Sequence, residues 1–94
     1  MSRLDNLGKR RELLRNAIAA NLDFVIGTVT AKGPSTFGYN LTEKVKGKTV
    51  SVYVPKALLQ TTREMTKRHR AVKQLMRELS KVNWQILRPQ SKMR

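Results

Sequence analysis

The sequence contains no cysteine, a single histidine and only six acidic residues among its 94. Without cysteine the chain forms neither a disulfide framework nor a thiolate zinc site, so its stability must come from packing. The six acids form no pair or cluster that would hold Mg²⁺, and no glycine-rich phosphate loop is present. His69 has no carboxylate placed to orient it as a general base. The sequence therefore predicts a protein that is not an enzyme and that uses no cofactor and no metal.

Long apolar runs are also missing. The N-terminus has no apolar stretch of the length that a signal peptide requires, and nowhere do about 18 apolar residues follow one another. We therefore expect a cytoplasmic protein with no membrane partner.

Positive charge is what the sequence has in excess. Twenty Lys and Arg residues against six acids give a formal net charge of +14. Such an imbalance causes self-repulsion in the compact state, and phosphate is the usual counter-charge. The composition favours nucleic acid, either DNA or RNA, over an anionic membrane surface or a role with protein partners alone.

The hydrophobic pattern predicts one α+β domain over residues 1–94. Apolar residues spaced three, four and seven apart predict a helix over about 4–21, and alternating β-branched and aromatic residues predict strands over about 23–30, 36–43 and 49–54. Lys46-Gly47 is a hairpin turn signal. Pro55 suits the first turn of a long helix over about 56–87, followed by a basic tail at 88–94. We expect a three-stranded antiparallel sheet and two helices packed antiparallel.

The long helix carries an apolar row with a seven-residue repeat, which keeps its members on one face. This seam consists of Leu58, Met65, Val72, Leu79 and Ile86. The first helix, about 27 Å long, is too short to cover a helix of about 48 Å. The part of the seam left uncovered would pack against a second copy of the chain or against the sheet, and as an alternative it would dock onto another protein.

A second row on the same helix is cationic. Its members share one face because their spacing is four, three, seven and four residues, and they are Arg63, Lys67, Arg70, Arg77 and Lys81. Only Glu64 and Glu78 stand at a spacing that would neutralise them. We interpret this stripe as a phosphate-contacting surface; the alternative is a solvated helix face.

The predicted hairpin tip and the two tyrosines supply further candidates. Lys46 and Lys48 flank the turn and would be outlying phosphate contacts, although lysines there also block edge-to-edge strand pairing. Tyr39 and Tyr53 would offer stacking platforms for unpaired bases or, alternatively, core side chains on a half-buried strand.

Four segments carry a resemblance to a known family. They are Gly27-Thr-Val, Gly38-Tyr-Asn-Leu, Val45-Lys-Gly-Lys-Thr-Val-Ser-Val-Tyr-Val-Pro55, and the long helix ending Glu78-Leu-Ser-Lys-Val-Asn83. Over about residues 22–87 the chain resembles a family of short, basic, uncharacterised bacterial proteins associated with transposons and other mobile elements. Members commonly carry a cysteine-containing basic insert between the first strand and the Gly-Tyr strand. Here that stretch, residues 31–36, has no cysteine, which removes a metal-knuckle role and makes the long helix the better contact candidate.

The predicted function is an accessory nucleic-acid-binding protein whose phosphate contacts are largely independent of sequence. The resemblance implies a bacterial or phage mobile-element context. One alternative is an interaction module that docks through the seam onto a larger enzyme, such as a transposase or reverse transcriptase. Another is a ribosome-associated RNA-binding protein, which would select RNA by its shape or 2′-hydroxyl groups.

Overall fold

The computed structural model describes residues 2–32 and 38–88. The elements follow the order helix, three strands, helix: α1 (Arg3–Ala19), β1 (Thr28–Ala31), β2 (Tyr39–Val45), β3 (Lys48–Val54), a 3₁₀ turn (Lys56–Leu58) and α2 (Leu59–Leu87). The strands form one antiparallel sheet in the order β1-β2-β3. The predicted α+β class, in which the first helix packs on the long second helix, is confirmed. Residues 36–37 of the predicted second strand and 89–94 of the basic tail lie outside the described residues.

Helix α1 begins one residue before its predicted start because Ser2 caps it. The Ser2 hydroxyl accepts a hydrogen bond from the Asp5 amide at 3.1 Å, which satisfies one of the free N–H groups of the first turn. The helix ends at Ala19, before the predicted end at Asn21. The Asn21 side-chain amide donates to the Ala17 carbonyl at 2.7 Å and so closes the last turn.

Strand β1 is shorter than the sequence pattern predicts, since it begins at Thr28 and not at Asp23. Gly27 explains the difference: its φ is +138°, and a Cβ there would lie 2.8 Å from the Thr42 carbonyl oxygen. A residue with a side chain does not fit this close approach. The residues before Gly27 contact α2 instead, where the Phe24 and His69 rings lie 5.0 Å apart.

Strands β2 and β3 form the predicted hairpin, with Val45 opposite Lys48. The two turn residues both have positive φ, 51° at Lys46 and 81° at Gly47, as a type I′ turn requires. This turn matches the right-handed twist of the flanking strands. The hairpin is longer than predicted at its tip, because the ladder continues to the residues on either side of the turn.

Helix α2 runs without interruption over 29 residues, but its predicted first turn at 56–58 is a 3₁₀ turn. Pro55 has no N–H, and its carbonyl accepts from the Leu58 amide at 2.9 Å, which is the shorter 3₁₀ spacing. The chain divides into two compact units. Within the described residues, one combines residues 2–22 with 71–88, and the other comprises 23–32 with 38–70. The predicted single domain thus contains two units that share α2.

Candidate nucleic-acid interface

Three of the five predicted stripe residues line one surface groove in the unit that holds the sheet. This cationic groove, about 260 Å³ in volume, lies between β1 and the first half of α2. Its lining side chains are Thr28, Val29, Arg63, Thr66, Lys67 and Arg70. The helix supplies the cations because positions 63, 67 and 70 are neighbours on an α-helical surface. All three basic side chains are exposed, so they are accessible to a ligand.

The floor of the groove is held by local contacts. Thr66 is only 4% exposed, and its hydroxyl donates to the Arg63 carbonyl at 2.8 Å within the same helix. The Arg63 guanidinium lies over the Tyr39 ring, 5.2 Å from its centroid. A cation over an aromatic face is attracted by the ring's quadrupole, which orients the arginine without neutralising it.

The groove cations have no acidic partner among the described residues. The ion pairs Arg10–Glu78, Arg15–Glu12 and Arg68–Asp23 all lie outside the groove, and among residues 2–32 and 38–88 no groove cation is paired with an acid. Glu64, which the sequence offers as a partner for the stripe, accepts a hydrogen bond from Gln60 at 3.1 Å. The described part of the chain therefore presents three like charges in one concavity with no counter-charge.

Arg68 shows the opposite arrangement on the same helix. Its Nη1 donates to the Asp23 carbonyl at 2.9 Å and lies 3.6 Å from the Asp23 carboxylate. Arg68 is partly buried, whereas Arg70 is exposed. This arginine ties the segment before β1 to α2, so its role is structural.

The remaining two stripe residues, Arg77 and Lys81, lie in the other unit. Both are exposed, and neither forms an ion pair with any described residue. Lys81 shares a concavity of about 350 Å³ with Glu78, whose carboxylate lies 3.0 Å from Arg10 Nη2. We call this the helix-pair concavity; it is lined by Arg10, Gln74, Glu78, Lys81, Val82 and Gln85.

The hairpin lysines are exposed but do not line the groove. Lys46 occupies the turn, and Lys48 begins β3. The structure describes both in the same unit as the groove, at the end of the sheet's longest hairpin. As outlying phosphate contacts they stay a prediction.

The apolar seam of the long helix is largely covered within the chain. Val72 is 3% exposed, and Met65, Leu79 and Ile86 are half-buried. Leu58 differs, with 52% of its surface exposed, because it lies in the 3₁₀ turn before α2. As a surface for a second copy or another protein, the seam stays a prediction, and Leu58 is its most open member.

Two threonines that line the groove were not predicted from the sequence. Thr28 carries no pattern signal, because its role depends on where β1 lies beside α2. Thr66 precedes Lys67 and falls three residues after Arg63, so helical spacing alone would have placed it at the inner edge of the stripe. Their hydroxyls add hydrogen-bonding groups to a cluster of charges.

Two further findings concern the residues that the structure describes. No three His, Asp or Glu side chains among them come together as a metal site would require. None of the described helices combines the length and the apolar character needed to cross a membrane. His69 packs against the Phe24 ring.

No protein-family model, curated protein or solved structure matches the chain.

Proposed function

We propose that this chain is a small, non-catalytic protein that binds nucleic acid through phosphate contacts in the cationic groove. The observation that carries the proposal is the set of three exposed, unneutralised cations at Arg63, Lys67 and Arg70. A nucleic-acid backbone supplies the evenly spaced negative charges that such a cluster lacks.

The net charge of +14 supports the same ligand, because it attracts a polyanion from a distance and raises the rate of encounter. The polar side chains that line the groove are three cations and two threonines, which suit phosphate contacts. We therefore propose binding that is largely independent of base sequence. Arg77 and Lys81 on α2, and Lys46 and Lys48 at the hairpin tip, would be additional and weaker contacts.

The resemblance of the hairpin and long helix to mobile-element proteins supports a bacterial or phage setting. In that setting the chain would accompany a larger enzyme acting on DNA or RNA, without performing the cutting or joining itself.

The test is electrophoretic retardation of DNA and RNA probes across a salt series. Two double variants remove equal charge from the same helix: Lys67→Gln with Arg70→Gln in the groove, and Arg77→Gln with Lys81→Gln as the matched control. The salt slope is the magnitude of the slope of log affinity against log salt concentration. If both groove residues contact duplex phosphates, this slope should decrease by about 1.8 in the groove variant, since each phosphate contributes about 0.9. The control should lose less. Equal losses in the two variants would show that net charge, and not the groove, determines binding.

A second candidate function is docking onto a partner protein. It is favoured by large apolar side chains that stay exposed, namely Leu58 in the 3₁₀ turn and Met76, Trp84 and Leu87 on α2. If the chain self-associates through Leu58, light scattering should show a mass above that of one chain, and Leu58→Asp should lower it. A monomer at all concentrations would reject the homo-oligomer and leave only a different protein as the partner.

A further inference from the structure

A second concavity lies in the same unit as the cationic groove and is lined by both tyrosines of the chain. This tyrosine pocket has a volume of about 450 Å³ and forms where β2 begins and β3 ends. Its lining residues are Gly38, Tyr39, Tyr53, Val54, Lys56 and Leu59. The pocket is therefore mainly apolar and aromatic, with one lysine at its edge.

Each tyrosine ring of the pocket carries a cation. Arg63 lies over Tyr39, and the Lys32 ammonium lies 4.8 Å from the centroid of the Tyr53 ring. Tyr53 is 55% exposed, so this residue stays accessible to a ligand even with Lys32 beside its ring. An open aromatic ring beside cations is the arrangement with which proteins hold unpaired bases, since the ring stacks and the cations contact the backbone.

Arg63 joins this pocket to the cationic groove. Arg63 lines the groove, and its guanidinium lies over the ring of Tyr39, which lines the pocket. A phosphate held by Arg63 would therefore lie beside the tyrosine pocket. The base next to that phosphate can stack on a tyrosine ring only if the base is unpaired, because a duplex base is already stacked on its neighbours.

We infer that the tyrosine pocket binds an unpaired base, so that the nucleic acid bound by this chain is single-stranded DNA or RNA. This inference depends on the proposed function and specifies its ligand. A double-stranded region would engage the groove through its backbone alone, because its bases are enclosed in the helix.

The experiment compares a fluorescently labelled single strand with the matched duplex by anisotropy, using the full chain. Wild type should prefer the single strand. Tyr53→Ala should weaken single-strand binding by about tenfold and duplex binding by less than about twofold, because stacking on an aromatic ring serves only an unpaired base. Tyr53→Phe should restore the preference, since phenylalanine retains the ring. Val52→Ala, at the neighbouring exposed position of β3, is the control and should change neither affinity.

A second measurement needs no variant and so is independent of folding. A single strand containing the fluorescent base 2-aminopurine should change its emission on binding wild type, because the probe stacks on a tyrosine ring. Binding without any emission change at every probe position would overturn the inference.

The outcomes separate the pocket from the proposed function. If Tyr53→Ala leaves the preference unchanged, while Lys67→Gln with Arg70→Gln weakens both ligands, the pocket is rejected and the groove stands. If wild type retains neither ligand, both the groove and the pocket are rejected.

Discussion

The cationic groove and the helix-pair concavity are both small and polar, but they differ in charge: among the described residues, the groove is lined by three basic side chains and no acid, the concavity by two basic side chains and one acid. Both are lined by basic side chains of α2, Lys67 and Arg70 in one and Lys81 in the other. The helix-pair concavity also contains Glu78, paired with Arg10 at 3.0 Å, whereas the described lining of the groove contains no carboxylate. A basic cluster that already contains an acid attracts a phosphate less strongly. Where the six acids lie therefore decides which of the twenty basic residues are free to bind phosphate.

Adding an acid to the groove should remove the difference and produce the largest effect. Thr28→Glu places a carboxylate among Arg63, Lys67 and Arg70, where it competes with phosphate. Nucleic-acid affinity should fall by about tenfold, which is about 1.4 kcal/mol, since an ion pair near a protein surface is worth this order. Fluorescence anisotropy at low salt measures the change.

The control for this prediction is Thr30→Glu, which adds the same charge to the same strand outside the groove lining. It should cost much less affinity. If both variants weaken binding equally, the groove is no better a phosphate site than the rest of the strand.

Arg68, which is paired with Asp23, should contribute to stability, whereas Arg70, which lines the groove, should contribute to binding. Arg68→Gln removes the contacts to Asp23 and should lower the free energy of unfolding by about 1 kcal/mol, because the bond is charge-assisted but partly exposed. Its nucleic-acid affinity should change little. Arg70→Gln removes the same charge, but it should weaken nucleic-acid binding and leave the free energy of unfolding nearly unchanged. Urea unfolding and anisotropy on both proteins test the pair, and a large binding loss in Arg68→Gln would contradict the division.

Removing the acid from the helix-pair concavity should make it resemble the groove. Glu78→Gln frees Arg10 and leaves Lys81 without a nearby carboxylate. Exposed ion pairs contribute about 0.2–1 kcal/mol, so the loss of stability should be small. Affinity should rise about twofold, with a steeper salt dependence, because one more cation becomes available to phosphate. Unchanged affinity would mean that nucleic acid does not reach this concavity.

The sequence predicts those features that depend on local geometry. Lys46-Gly47 indicates its turn because few residue pairs tolerate two positive φ angles, and the stripe is visible because helical period alone sets which cations are neighbours. The start of β1 was predicted wrongly, since Phe24-Val25-Ile26 has the same β-branched pattern whether it pairs in a ladder or contacts a helix. The position of Thr28 in the groove and the pairing of Arg68 with Asp23 depend on residues distant in the chain, which no local pattern specifies.

The hairpin turn offers the smallest effect and a test of how far the interface extends from the groove. Lys46 has a φ of 51°, a left-handed conformation that asparagine tolerates better than lysine does. Lys46→Asn should therefore raise the free energy of unfolding by about 0.5 kcal/mol, because Asn-Gly is the preferred type I′ pair. If Lys46 contacts a duplex phosphate, the same change should reduce the salt slope by about 0.9, and Lys46→Arg, which keeps the charge, should leave the slope intact. A more stable variant with an unchanged slope would place the hairpin tip outside the interface and confine binding to the sides of α2.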